Sequence, residues 1–182
     1  MDSLFSQRVK RARRSVIREL LKLAEEPGII SFAGGIPDPE TFPREILAQL
    51  AADEILNNYK KSLQYTTTEG KRPLRAALIR WFSQEGLEYE LDQVVITSAS
   101  QQGLDLVAKT FLDPGDAVFV SLPTYLGAIQ AFRALEGELV GVPLLEDGMD
   151  LEALEEAILR ARKAGHTPSL STWCPTFRTP PG

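Results

Sequence analysis

The pattern of apolar and polar positions changes character near Val94. Before it, apolar residues recur at helical spacing: Val16, Ile17, Leu20, Leu21 and Leu23 form a stripe interrupted by Glu19, Glu25 and Glu26, which predicts a docked amphipathic helix. GIISFAGGIPDPETFP then reads as a short strand from Ile29 to Phe32 running into a loop whose glycines and prolines continue neither regular structure. Thr41 and Pro43 suit a helix start, with Ile46, Leu47 and Leu50 on one face. Pro73 opens a clearer helix, in which Leu74, Leu78, Trp81 and Phe82 share a face and Gly86 closes the segment.

From Val94 onward strand and helix alternate. VVIT reads as a buried-type strand, and SASQQGLDLVAKTFL carries Leu104, Val107, Ala108 and Phe111 at helical spacing. Asp113-Pro114-Gly115-Asp116 is a turn, because proline presets its second position and glycine accepts the positive angle of its third. AVFVSLP, ELVGVPL and SLSTWCP follow as strands, with TYLGAIQAFRAL and a helix capped by Asp150 between them. That last helix has Glu152, Glu155 and Glu156 early and Arg160, Arg162 and Lys163 late, matching its dipole, and Gly165 ends it. Single helices between strands imply right-handed crossovers and an α/β fold with a mostly parallel sheet covered on both faces. Residues 1–60 are expected to be an arm and accessory segment, and 61–182 an α/β unit whose sheet is incomplete.

Composition narrows the function classes. Lys+Arg 20 against Asp+Glu 25 leaves a net charge of -5, which argues against a general nucleic-acid binder. The single cysteine, Cys174, excludes an internal disulfide, and no apolar run approaches the length of a bilayer span, so a cytoplasmic location is the default expectation. Arg8, Lys10, Arg11, Arg13, Arg14, Arg18 and Lys22 make the N-terminus basic, as in transit peptides or nucleic-acid arms, but the apolar stripe among them favours the docked helix.

In open α/β sheets ligands sit beyond the carboxyl ends of strands, which singles out two segments. Ser98-Ala99-Ser100-Gln101-Gln102 follows VVIT; small hydroxyl residues there leave helix-start N–H groups facing outward, suited to a phosphate or carboxylate, although a plain N-cap by Ser98 or Ser100 explains the same residues. Pro123-Thr124-Tyr125 follows AVFVSLP and brings an aromatic ring that can stack on a planar ligand or simply pack. A phosphate cradle beside a stacking ring suggests a phosphorylated aromatic cofactor, and a dinucleotide is disfavoured because no G-x-G-x-x-G follows a strand.

Four segments in order, SFAGGIPDPETFP, QYTTTEGKRPLRAAL, ITSASQQGLDLVAKTFLDPGD and LPTYLGAIQAF, resemble the N-terminal half of a fold-type I pyridoxal-phosphate aminotransferase. The likeness is to the class I group that includes 2-aminoadipate and kynurenine aminotransferases. It implies the large-domain fold of that family, pyridoxal 5'-phosphate as cofactor, amino acid and 2-oxo acid as substrates, and a homodimer with shared sites. The family's phosphate-binding turn falls on Ala99, Ser100 and Gln101, and its ring-stacking aromatic on Tyr125. The tyrosine that reaches the cofactor phosphate of the neighbouring subunit falls on Tyr65. Gly34 and Gly35 match a loop near the substrate carboxylate, though paired glycines equally serve a turn. Ser15 and Arg18 occupy a segment that faces the substrate side chain in related members; Arg18 could meet a distal carboxylate or be a solvated arginine.

The sequence also departs from the family. Ala99 stands where glycine is usual, a small change if the backbone angle there is negative. Thr179 stands where an asparagine bonds the cofactor's ring oxygen, and SLSTWCP is more polar than the apolar strand expected before that motif. The family's aspartate on the pyridine nitrogen, its Schiff-base lysine and its two arginines on phosphate and carboxylate have no counterpart in the 182 residues, so no catalytic residue is assigned and the chain alone is expected not to turn over. Weak, reversible affinity for the cofactor is the expectation. A degenerate aminotransferase-like protein, or a regulator with such a domain, is the competing reading.

Overall fold

A computed structural model of the chain describes residues 37–172 together with Leu4, Ser6, Gly28 and Ile29. The amphipathic N-terminal helix, all but the first residue of the expected strand from Ile29 to Phe32, and the chain after Thr172 lie outside the described residues. The described chain from Gly28 to Ile96 belongs to one compact unit and that from Thr97 to Thr172 to a second.

The second unit is built on β1 (Ala117–Leu122), whose residues Ala117 to Ser121 are all buried. Parallel neighbours flank it on both sides, β2 (Glu138–Leu145) and β4 (Pro168–Thr172), and β3 (Gly148–Met149) pairs antiparallel with β2, giving the order β3-β2-β1-β4. A strand covered on both faces has no polar side, which explains the continuous apolar run of AVFV. Its side chains alternate between two cores. Val118 and Val120 pack with Ala108 of α4 (Ala99–Phe111) and with Ala128 and Phe132 of α5 (Leu126–Ala134). Ala117 and Phe119 pack with Val142 of β2 and with Ala157 and Ala161 of α6 (Leu151–Lys163). Alanines line the helix faces that touch the strand, so the helices approach closely; each large residue buried between them contributes about 1.5–3 kcal/mol.

Local chemistry sets the ends of these elements. The Asp150 carboxylate accepts the Ala153 N–H at 2.9 Å, capping α6 as its sequence predicts. The Asp-Pro-Gly-Asp turn forms, with the Asp116 N–H donating to the Asp113 carbonyl at 3.1 Å. Around it the amino ends of the strands are tied together. The Ala117 N–H donates to the Thr167 carbonyl, the Glu138 N–H donates to the Asp116 carbonyl (each 2.8 Å), and His166 Nδ1 lies 2.8 Å from the Gly115 carbonyl. SLSTWCP supplies β4 as far as Thr172; it lies at the sheet edge with mostly half-buried residues, which accounts for its polar character.

VVIT is a correction. Val94 to Thr97 runs without helix or ladder pairing, because no described segment lies alongside to exchange backbone hydrogen bonds with it. The Ile96 N–H instead donates to the Glu69 carbonyl at 2.9 Å. Phe111, placed by its spacing on the apolar face of α4, is exposed.

The first unit is helical among its described residues: α1 (Arg44–Asn57), α2 (Tyr59–Ser62) and α3 (Arg72–Gln84), with short 3-10 turns at Pro39–Thr41 and Leu91–Gln93. Phe82 on α3 stacks on Trp81 at 5.4 Å and meets Tyr89 edge-on at 5.8 Å, while Arg75 Nη1 donates to the Leu91 carbonyl at 2.7 Å. These contacts fold residues 87–93 back on the helix. Gly70 is required where the TTTEG turn meets Ile96: its φ is +94°, and a Cβ there would lie 2.6 Å from Ile96 Cγ1. Ile46, Leu47 and Leu50 do share a face of α1, as their spacing predicts, and all three are exposed.

Asp116 gathers the strongest polar contacts at the amino edge of the sheet. Its carboxylate accepts the Ser169 hydroxyl at 2.7 Å and the Asp113 N–H at 3.1 Å, and these hydrogen bonds hold its pKa below the ordinary aspartate value. A folded-state pKa below the unfolded one gives stabilisation that is complete above the unfolded value and is lost as pH falls through the folded value. Ser169→Ala removes the largest cause, so the Asp116 carboxyl should titrate at higher pH and acid unfolding should begin at higher pH. Carboxyl-detected NMR titration measures both chains, and identical Asp116 curves would contradict the assignment.

Candidate functional site

Two loops emerge at the carboxyl end of the β1 region. One leaves β1 through a cis Leu122-Pro123 peptide and ends at Tyr125, the N-cap residue of α5. Ser121, fully buried, donates its hydroxyl to the Pro123 carbonyl at 2.9 Å, which satisfies the buried polar group and fixes the start of this loop. The other loop, Thr97-Ser98, leads into α4. Thr97 Oγ1 donates to the Ala99 carbonyl at 3.1 Å, and the Ser98 N–H donates to Gln102 Oε1 at 2.5 Å.

Ser98 occupies the N-cap position but its side chain makes no capping bond, so the plain N-cap explanation of this turn does not hold. The first-turn N–H groups of Ser100, Gln101 and Gln102 have no acceptor within the helix and sit at the positive end of its dipole. Because Gln102, not Gln101, reaches back to Ser98, Gln101 is released for another partner: its Nε2 donates to the Gly127 carbonyl at 3.1 Å. That bond joins the two loops. A Cβ at Gly127 would collide with Gln101 Oε1 and with Cε1 of the Tyr125 ring, so glycine is what permits the approach. The sequence reading missed Gly127; a glycine in the first turn of a helix, two residues after an exposed aromatic, was the available signal.

The structure therefore brings Ala99, Ser100, Gln101 and Tyr125 together. Tyr125 remains 42% exposed, leaving the ring partly open to a ligand. The donor set suits a phosphate at the helix start with a planar group against the ring, and contains no lysine: Lys109 lies ten residues along α4, about 15 Å away by helix rise, and bonds Asp105. Tyr65 lies in the other unit, 100% exposed, with its N–H donating to Gln64 Oε1 at 2.8 Å. Thr179, Gly35, Ser15 and Arg18 lie outside the described residues. Among the described residues no acidic, histidine or cysteine cluster could hold a metal ion, and no helix is long and apolar enough to cross a membrane.

Ala99 departs from what its sequence suggested. Its φ is +62°, in the left-handed region, so alanine in place of the family's glycine is not a neutral change. The Cβ costs about 1–2 kcal/mol there, while a glycine would lose about 0.4–1 kcal/mol more chain entropy on folding. Ala99→Gly should accordingly stabilise the chain by about 0.5–1 kcal/mol in urea unfolding. Destabilisation by a similar amount, the usual result for glycine in a helix, would contradict the geometry.

Comparison with known proteins agrees with these features. The profile of the family "Aminotransferase class I and II" matches residues 27–175. The chain is 42% identical over 183 residues to aromatic-amino-acid aminotransferase 1 of Thermococcus litoralis, covering 100% of this chain and 44% of that protein. It is 46% identical over 178 residues to 2-aminoadipate transaminase of Thermus thermophilus, covering 98% of this chain and 42% of that one. Its fold matches the crystal structure of Pyrococcus horikoshii kynurenine aminotransferase, solved in complex with PMP, with a TM-score of 0.86 at 41% identity, over 100% of this chain and 45% of that one. The chain thus spans less than half the length of the relatives it matches and corresponds to their N-terminal portion. With most of its length matched by the family profile and its described sheet that of the solved aminotransferases, the chain belongs to the class I and II aminotransferases.

Proposed function

We propose that this chain is the part of a pyridoxal-phosphate aminotransferase that holds the cofactor's phosphate and one face of its ring, within a whole protein that moves an amino group between an amino acid and a 2-oxo acid. The observation that carries this reading is the Gln101–Gly127 hydrogen bond, which sets the N–H groups at the start of α4 beside the Tyr125 ring. When bound, pyridoxal phosphate supplies an electron sink for the carbanion left when a substrate loses its α-proton. The residues of this chain bind and orient. Ser100 and Gln101 offer N–H donors to the phosphate, and the Tyr125 ring limits the cofactor's tilt by stacking. Gln101 acts as a positioning residue through Gly127.

Other features support a cytoplasmic homodimer with shared sites. Tyr65 is wholly exposed, free to reach outward as the family's counterpart does toward its neighbour's phosphate, and the exposed apolar face of α1 offers surface for association. The one cysteine fits a reducing compartment. No lysine stands in the described part of the site, which supports binding without turnover by these 182 residues alone.

Absorbance titration of the chain with pyridoxal phosphate tests the reading. Binding should be weak and reversible, and borohydride should fix the cofactor to no single lysine. Tyr125→Ala should weaken binding about three- to tenfold, the loss of one ring contact. Unchanged affinity in that variant, or transamination by the chain itself, would overturn the assignment.

A further inference from the structure

A second set of phosphate-compatible groups lies in the first unit. Around the end of α2 and the start of α3 is a cleft of about 380 Å³, whose lining includes Lys60, Lys61, Gln64, Tyr65, Lys71 and Arg72 and contains no carboxylate. Four cations thus share a small cavity in a chain whose net charge is -5. Among the described residues none of the four joins an ion pair. Lys71 Nζ donates to the Lys61 carbonyl, which tethers that ammonium to the cleft, and Lys60 Nζ lies 5.9 Å from the Tyr59 ring centroid.

The neutral groups in the lining add donors. Gln64 Oε1 is occupied by the Tyr65 N–H at 2.8 Å, which leaves the amide nitrogen for another acceptor. The Tyr65 side chain is fully exposed, and α3 begins at Arg72 with its positive dipole end toward the same residues. Unpaired like charges held this close repel one another, and an anion between them removes the repulsion. A phosphomonoester, with a charge of about -1.5 to -2 and three strong acceptor oxygens, meets more of these donors than a carboxylate does. The small volume and the chain's overall negative charge disfavour a polyanion such as a nucleic acid.

We infer that Lys60, Lys61, Lys71 and Arg72, with the Tyr65 hydroxyl, form a second phosphate-binding site that takes a phosphate dianion, either free or carried on a small molecule. No residue from Thr97 to Gln102 takes part, so this site and the proposed cofactor turn hold or fail independently.

The test is an amide-resolved NMR titration of the ¹⁵N-labelled chain with inorganic phosphate, at ionic strength matched with chloride. Saturable shifts are expected at amides between Lys60 and Arg72. The double variant Lys60→Gln/Arg72→Gln leaves the Lys71–Lys61 bond in place and should weaken binding about tenfold, whereas Arg162→Gln/Lys163→Gln, an equal charge change on α6, should alter it by less than about twofold. Matching thermal melts show that each variant is folded. Repeating the titration with pyridoxal phosphate at two chain concentrations identifies the source: affinity that rises with chain concentration marks a phosphate brought by a second copy, and constant affinity marks a free anion. Shifts that never saturate, or equal weakening by both double variants, would overturn the site.

Discussion

The structure of the second unit depends on one strand that is buried on every side. β1 is paired on both edges and covered on both faces, from Ala117 to Ser121, so its register is fixed by packing. A slip of one residue would send Phe119 toward α4 and α5 and bring Val118 and Val120 against α6, exchanging every contact of both cores. Because β1 cannot slide, the loop leaving its carboxyl end is held, and Tyr125 with it. Ala108 presses α4 on the same strand, which fixes the start of that helix too. The phosphate-type turn and the aromatic are therefore neighbours as a consequence of core packing, and Gln101 needs only one side-chain bond to join them.

Elements governed by local chemistry were legible in the sequence. Asp150 as a cap, Pro114-Gly115 as a turn and the three strands AVFVSLP, ELVGVPL and SLSTWCP need only neighbouring residues or a strongly apolar run to declare themselves. VVIT misled because a strand is completed by a partner, and apolar composition says nothing about whether one is present. The short β3 was missed although Asp147-Gly148 is a hairpin signal, since two residues are too few for periodicity. At the site, residue types indicated Ser100, Gln101 and Tyr125. They could not reveal the positive φ of Ala99, the back-bond from Gln102 or the space left by Gly127, each of which depends on how the loops meet. The cleft around Lys71 was equally hidden: its charges come from two segments separated by a turn.

Membership in the class I and II aminotransferases gives these features a common context, and coverage of less than half of the related proteins sets its scale. What the described residues carry is binding geometry: N–H donors, a ring, a fixed spacing between them. β4 lies at one edge of the described sheet with half-buried polar residues, so its unpaired side has hydrogen-bonding groups to offer. The helical unit presents exposed apolar residues on α1 and a wholly exposed Tyr65. Both surfaces fit a chain that makes part of a site and leaves the remaining chemistry to other residues.

The central claim is that core packing preforms half of a cofactor site from two loops. Its most direct measurement is the pattern of amide shifts when pyridoxal phosphate is added to the ¹⁵N-labelled chain. The account predicts concerted, saturable shifts from Ser98 to Gln102 and from Tyr125 to Gly127, lost together in Gly127→Ala, whose Cβ would push Gln101 and Tyr125 apart. Shifts confined to one loop, or concerted shifts that survive Gly127→Ala, would contradict it.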